Sequence, residues 1–322
     1  MFVSIVIPAY NCEEFLSIAI DSVLDQTHKE FELMLVNDGS TDNTLGIMEV
    51  YQKKDSRIRV ISHENKGRCQ AFNNAVKNAK YEWIARLDAD DVFLPHKLEK
   101  QIKCLRDNPN ISVLGTRGYH INAYGRRLGL MGTDGPYSEK EFQGYMQTNS
   151  PIFFIFSSVI MRKSSFMSVG GLRKEFPQAE DFDLFNRLSE NGNLLLKLKD
   201  PLVLYRVHEK SVSASKYLEQ RLFYKFARDR MLSRRRGEQE PTLEQFLDYR
   251  KQRPLYLRMN STRKDYGKYF YRISALNYAS GKLFKTGTFY LFSMVLHPEH
   301  AIPRLILQKA IGITRGDRII AF

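Results

Sequence analysis

Short apolar runs alternate with helix-patterned polar stretches over the first half of the chain. "FVSIVIP" reads as a strand buried on both faces, and residues 13–24 follow with helical periodicity. "FELMLVN" is a second strand, closed by "NDGSTDNT", whose Ser, Thr and Asp residues can cap the next helix. "RIRVIS" gives a third strand and "GRCQAFNNAVKNA" a third helix. "EWIARL" gives a fourth strand, and "PHKLEKQIKCL" a helix with Pro95 in its first turn. This β-α-β-α order predicts an α/β fold with a mostly parallel central sheet and helices on both faces. Ligands of such sheets bind beyond the carboxyl ends of the strands. The loops holding Pro8–Asn11, Asp38 and Asp88–Asp91 are therefore expected to converge on one crevice.

Residues 111–150 give an irregular, glycine-rich pattern and are expected to form a mobile loop, part of a lid. "FSSVIMR" is a further strand, "AEDFDLFNRLSENG" a short helix closed by Gly192, and "PLVLYRVH" a final strand. Beyond Ser215 the pattern becomes helical, in "YLEQRLFYKFARDRMLSRRRG", "RKDYGKYFYRISALNYASGKL", "TGTFYLFSMVLHP" and "AIPRLILQKAIG", the last three resembling an antiparallel hairpin array. The pattern divides the chain into an α/β domain over 1–214 and a helical region over 215–322.

Charge sharpens that division. The net charge is +13, and residues 215–322 carry all of it, with 22 Lys and Arg against 9 Asp and Glu. "FYKFARDRMLSRRR" interleaves aromatic and basic residues as an interfacial helix does, so peripheral contact with an anionic membrane is one reading. A solvated basic face packed on the core is the other. No apolar run approaches the roughly 20 residues needed to span a bilayer. "MFVSIVIPAYN" reads as a first strand rather than a signal peptide. Cys12, Cys69 and Cys104 are scattered without metal-type spacing, which suits a reducing cytoplasm.

Candidate chemistry gathers at the strand ends. Asp88, Asp90 and Asp91 fall within four residues directly behind the fourth strand. Carboxylates so close repel one another, and a hard cation already holding a diphosphate would relieve this. Mg2+ or Mn2+ suits, because both take oxygen ligands and few of them from protein. A turn with capping aspartates is the alternative. Asp38 can hydrogen-bond a nucleobase edge or close an Asx-type turn. Glu180-Asp181 opens a helix whose dipole favours carboxylates and would keep Asp181 ionised, as a general base requires. Gly170-Gly171 upstream would let backbone approach a bound sugar. Arg206, His208, Ser211 and Ser213 after the last strand fit diphosphate binding, with His208 also able to ligate a metal, although a lone Arg-x-His is commonly a surface feature.

"VSIVIPAYN", "VNDGSTDNT", "NKGRCQAFNNAV", "ARLDADD", "GGLRKEFPQAEDFDLFNRL" and "LYRVHEKSVS", in this order over about residues 2–214, resemble the family 2 glycosyltransferases of GT-A fold. The resemblance implies inverting transfer of a sugar from a nucleotide-sugar, a UDP-sugar first, onto a hydroxyl. Pro8, Ala9, Tyr10 and Glu13 would line the nucleotide pocket and Asp38 would read the base. Asp88 would hold ribose or metal, Asp90 the metal, Arg206 and His208 the diphosphate and its Mn2+ or Mg2+. Asp181 would be the catalytic base. Arg86 in "ARLDADD" resembles a branch making bacterial surface polysaccharide (capsule, O-antigen or lipopolysaccharide), which implies a glycan or lipid-linked saccharide acceptor and work at the inner face of the plasma membrane. Two departures stand out. Many relatives have Arg-Asn where this chain has Phe72-Asn73, so a base or phosphate contact is missing or supplied by Arg68. Phe156-Ser157-Ser158 replaces the branch's His-Pro-Ser. A nucleotidyltransferase is the rival enzyme, but "IPAYNCEEFL" lacks its Gly-rich basic loop. A nucleic-acid module is the rival binder, but no recognised motif for it is present.

Overall fold

The first apolar run forms β1 (Val3–Ala9), which pairs in parallel with β2 (Phe31–Asp38) on one side and β4 (Trp83–Arg86) on the other. β2 pairs in parallel with β3 (Ile58–His63). Successive side chains of a strand leave opposite faces, and the two faces here build two cores. Val3, Ile5 and Ile7 of β1 and Leu33 and Leu35 of β2 pack with Leu16, Ile20 and Val23 of α1 (Leu16–Leu24). Val6, Met34 and Val36 pack with Phe72, Ala75 and Val76 of α3 (Arg68–Asn78). Burial on both sides explains why β1 and β2 read as near-continuous apolar runs, interrupted only by Ser4 in β1 and by Glu32 before the polar end of β2. Helix α2 (Thr44–Lys54) contributes Met48 to the first core.

These coordinates are a computed structural model that describes residues 1–131, 135–208 and 216–303. After β4 come β5 (Val92–Phe93), α4 (Lys97–Asp107), β6 (Ile111–Ile121), β7 (Arg127–Leu130), α5 (Glu139–Gln147), β8 (Ile160–Arg162), α6 (Lys163–Ser168), α7 (Glu180–Glu190) and β9 (Leu194–Arg206). The sheet order is β3-β2-β1-β4-β8-β6-β9-β5, with β7 on β6. The α/β sheet expected from sequence is present. Its parallel part is β3-β2-β1-β4, while β8 meets β4, and β5 meets β9, antiparallel.

The expected loop over 111–150 is largely ordered structure. Its first eleven residues are strand β6, with Ile111, Val113 and Leu114 buried. Within it Gly115 makes room for an aromatic side chain, since a Cβ there would lie 2.6 Å from the ring of Phe154. In "FSSVIMR" only the second half is strand, because Phe156–Ser158 forms a 3-10 turn.

The chain divides into two units, residues 1–118 with 133–205 and residues 119–132 with 206–322. In the second, α8 (Tyr217–Arg235), α9 (Leu243–Gln252), α10 (Leu255–Ala279) and α11 (Leu283–Leu296) follow one another. Helix α9 was not anticipated, although Thr242 and Gln245 close a capping box at its start. Helices α10 and α11 form the expected antiparallel hairpin. Arg263 reaches the carbonyl of Leu296, Phe270 stacks on Phe289, and Ser274 donates to the carbonyl of Thr286. The boundary expected at 214/215 lies outside the described residues, as do Ser211, Ser213 and most of "AIPRLILQKAIG".

One buried charge stands out in the first unit. Lys97 on α4 is fully buried, its Nζ donating to Gln101 Oε1 at 2.8 Å and lying 4.0 Å from the centre of the Phe93 ring. Burial pushes its pKa down to about 7. An unfolded lysine titrates near about 10.4, so between these values the unfolded chain binds more protons and stability rises with pH. Below about 7 the cost of charging the buried amine is fully present. Lys97→Met is therefore expected to raise stability at neutral pH by on the order of 2 kcal/mol. The gain should shrink steadily as pH approaches about 10. Urea melts across that range check it, and a gain that is flat with pH would contradict the buried-amine account.

Candidate active site

The loop after β1 is tied to the loop after β2. Asn11 holds the left-handed region at φ 50°, its amide donating to Ser40 Oγ and its Oδ1 accepting from the Thr41 amide at 2.8 Å. Glu13 Oε2 accepts from the Asn43 amide at 2.8 Å, so this exposed carboxylate braces the start of α2. Pro8 is half-buried, Ala9 buried, and the Tyr10 ring 52% exposed just above them. Asp38 is buried at the end of β2. It accepts the Lys66 amide at 2.7 Å and lies 3.4 Å from His63 Nδ1, while the turn that follows is closed by Asn37 Oδ1 on the Ser40 amide. The Asx-type alternative thus belongs to Asn37, one residue earlier. Gly39, at φ 72°, lets the two loops meet: a Cβ would sit 2.5 Å from the Asn65 amide nitrogen.

The three aspartates behind β4 separate into three environments. Asp88 Oδ1 accepts from Arg86 Nε at 2.8 Å, and the Asp88 amide donates to Ser157 Oγ at 3.1 Å. Asp91 is buried and accepts the Ser157 hydroxyl, and its amide closes a turn onto the Asp88 carbonyl at 3.0 Å. Asp90 is partly exposed, and its charge reaches the Cys12 thiol. Burial, more than that charge, pushes Cys12 up to about 12. One serine from the 3-10 turn therefore fixes both the strand end and one of the three carboxylates.

Arg86 is the counter-charge within the protein. Its guanidinium is buried over the touching rings of Phe72 and Phe156, 4.9 and 4.1 Å from their centres, and among the described residues Nη1 has no hydrogen-bond partner. Phe72, the departure noted in the sequence, is thus a wall of this guanidinium's slot. Burial disfavours the charged guanidinium, but Asp88 and Glu180 outweigh it and keep Arg86 above its usual value.

Helix α7 brings the second acidic pair. Glu180 is buried, with Oε2 accepting from Arg68 Nη2 at 2.8 Å, and Arg68 also donates to the Pro177 carbonyl. Asp181 is partly exposed in the first turn, its Oδ1 accepting from the Phe182 amide at 2.7 Å. Burial pushes Glu180 up to about 7, against the pull of Arg68. It also raises Asp181, with the Phe182 amide, Arg68 and Arg86 acting to lower it and Asp88 to raise it further. Asp183 is fully buried and bonded to Arg187 Nε at 2.7 Å, which leaves it no access to a substrate proton. Gly171 packs against Asn73 and Phe166 at φ 68°, so its need is internal packing.

The structure therefore brings Arg68, Arg86, Asp88 and Asp181 into one electrostatic cluster with Glu180. It places Pro8, Ala9 and Asp38 in the last residues of β1 and β2, and Tyr10, Glu13 and Asp90 in the loops that follow β1 and β4. Arg206 and His208 belong to the other unit. There Arg206 is buried and donates to the carbonyls of Asn122 and Ala123 at 3.2 and 3.0 Å, and His208 is half-buried. Sequence reasoning missed Ser157, Phe156 and His63. The signal for the first two was present in the departure at residues 156–158.

Residues 4–170 match the family described as Glycosyl transferase family 2. The chain is 33% identical over 213 residues to the putative glycosyltransferase EpsE of Bacillus subtilis (strain 168), a match covering 65% of this chain and 73% of that one. It is 33% identical over 190 residues to the chondroitin synthase of Pasteurella multocida (strain Pm70), 59% of this chain but 19% of that longer protein. Among solved structures, S. aureus TarS 1-349 in complex with UDP-GlcNAc superposes with a TM-score of 0.53 at 19% identity, covering 92% of this chain and 91% of that one. The architecture is thus the GT-A type. The extent of the family match and the EpsE relationship lead to one statement: this chain belongs to glycosyl transferase family 2.

Proposed function

We propose that this glycosyltransferase moves a sugar, with inversion, from a nucleotide-sugar to a hydroxyl of a glycan or lipid-linked saccharide in cell-surface polysaccharide synthesis. A UDP-sugar is the first donor to test, which the UDP-GlcNAc complex of the TarS neighbour supports. The chondroitin synthase relative supports a saccharide acceptor. The observation that carries the reading is the acid pair opening α7, whose Asp181 shares an electrostatic cluster with Asp88, Arg86 and Arg68 at the strand ends.

In this reading Asp181 is the base. It takes the proton of the acceptor hydroxyl, whose oxygen attacks C1 of the donor sugar as the bond from C1 to the diphosphate oxygen breaks. Burial raises Asp181 toward neutral pH, which strengthens it as a base relative to an exposed aspartate. Arg68 grips Glu180 and so holds the first turn of α7 in place. Pro8, Ala9, Tyr10 and Glu13 border the nucleotide, and Asp38 reads the base edge from its buried position. Arg86 orients Asp88 toward the ribose or diphosphate. For Arg206 and His208 the support is the sequence resemblance alone.

The donor set fits a divalent cation. Asp90 is partly exposed, in the turn between Asp88, which accepts from Arg86, and the buried Asp91. Among the described residues no three His, Cys, Asp or Glu side chains gather as a protein cage. One carboxylate sharing its ion with diphosphate oxygens and water suits Mg2+ or Mn2+. Asp90 would hold the ion, which when bound supplies Lewis-acid neutralisation of the leaving diphosphate. Among the described residues no helix is long and apolar enough to cross a membrane. We place the protein in the cytoplasm, in peripheral contact with the anionic inner face of the plasma membrane through its C-terminal helices.

Nucleotide release from a panel of UDP-, GDP- and dTDP-sugars with Mn2+ tests the donor, and release from none of them would sink the reading. Asp181→Asn is expected to cut transfer at least about a hundredfold while donor binding, followed by thermal shift, is kept. Near-normal turnover would assign the base elsewhere. Asp90→Ala is expected to weaken donor binding in Mn2+ and to leave the residual binding insensitive to chelator.

Arg68→Ala removes a cation that lowers both members of the Glu180–Asp181 pair, so the pair titrates at higher pH. The base is lost as pH falls through that value. The acid limb of the kcat/KM profile should therefore move to higher pH, with activity recovering on the alkaline side. An unmoved limb would uncouple Arg68 from the base.

A further inference from the structure

The segment that the sequence offers as interfacial is the one the fold uses internally. In α8, Phe226, Ala227 and Met231 are buried, and Phe226 packs on Phe246 at 5.3 Å between centres. Its cations are largely engaged: Arg221 and Lys225 pair with Asp265, and Arg230 and Arg234 with Glu240. The apolar surface of this unit lies on the α10–α11 hairpin instead.

On α11, Phe284, Leu291 and Val295 follow one another at spacings of seven and four along one side of the helix, 88%, 57% and 70% exposed. On α10, Leu255, Met259 and Tyr266 form a second line, 65%, 62% and 42% exposed. Ring contacts of Tyr266 with Phe270 at 6.4 Å and of Phe270 with Phe292 at 5.4 Å join the lines into one apolar strip. Isolated exposed hydrophobic residues need no explanation, but a joined strip does.

Charge says what covers it. Residues 255–303 hold seven Lys and Arg against two acids, Asp265 and Glu299. Asp265 is taken by α8, and Glu299 lies 4.0 Å from Arg263. Lys282 and Lys285 flank Phe284, and Arg258 adjoins Met259, all three exposed. A second copy docked symmetrically on this strip would set like charges against like. An anionic surface would complement it.

We propose that the α10–α11 strip is the face on which the protein lies on an anionic lipid bilayer. Phe284, Leu291, Phe292 and Val295 enter the boundary between headgroups and acyl chains, and Lys282, Lys285 and Arg258 meet the anionic headgroups. This rests on the membrane contact proposed above and assigns it to a face other than α8.

Flotation of the full chain tests it, using vesicles of phosphatidylcholine alone and with about one-third phosphatidylglycerol. The protein should float only with the anionic lipid. Lys282→Glu with Lys285→Glu should lower partitioning at least about twentyfold, from about fivefold per lysine removed. Phe284→Ser with Val295→Ser should lower it about tenfold or more. Arg228→Ser on the exposed side of α8 should change it less than about twofold. Equal flotation on both lipids, or loss with the α8 variant and not with the hairpin variants, overturns the assignment. So does concentration-dependent self-association without lipid that Phe284→Ser with Val295→Ser abolishes, which would make a second copy the occupant. Transfer to a soluble acceptor, measured on the same preparations, should persist in every variant. Its absence in the unaltered protein would count against the enzymatic reading and not against the lipid face.

Discussion

A single buried guanidinium organises the catalytic unit. Arg86 lies over two touching phenylalanine rings at the end of the fourth strand and closes on Asp88, while its charge is felt by Glu180 and Asp181 at the start of α7. A buried cation is costly unless it is paired, and the acids around it are costly unless they are balanced. Each makes the other tolerable. The Asp88–Asp91 stretch divides accordingly: one carboxylate goes to the arginine, one to Ser157 in the interior, and Asp90 between them is partly exposed.

From that balance the rest of the site follows. The loops after β1 and β2 are laced together through Asn11, Glu13, Ser40 and Asn43, and the loop after β3 is drawn in by Asp38. Polar groups that a substrate would use are thus held by short backbone hydrogen bonds before any substrate arrives. Such preorganisation is what places a base and a leaving group at fixed separation. Arg68, reaching from α3 to Glu180, holds the first turn of α7 to the same framework.

Much of this was legible in the sequence, for identifiable reasons. Strands β1, β2 and β4 are buried on both faces, so their largely apolar runs stood out, and the strand ends located Asp38, Asp88, Asp90 and Tyr10. Asp181 was marked by its place in a first helical turn. What escaped were features set by tertiary packing. Strand β6 was absorbed into the irregular pattern set by the glycine-rich stretch that follows it, although its Gly115 serves to seat the ring of Phe154. Phe72 looks like a lost polar contact until Arg86 is seen stacked on it. The aromatic and basic residues of α8 have an interfacial composition, yet the fold turns Phe226 inward and pairs Arg221 and Lys225 with Asp265 and Arg230 and Arg234 with Glu240. Composition gives the material of a surface, and only packing decides which side of it meets solvent.

The proposed function turns on a divalent cation that meets the partly exposed Asp90 together with the nucleotide diphosphate. A crystal soaked with Mn2+ and UDP tests this most directly, through anomalous density. The account predicts a manganese peak against the Asp90 carboxylate, with Asp88 still bound to Arg86. No peak beside Asp90 in a crystal that nonetheless holds the nucleotide would contradict it.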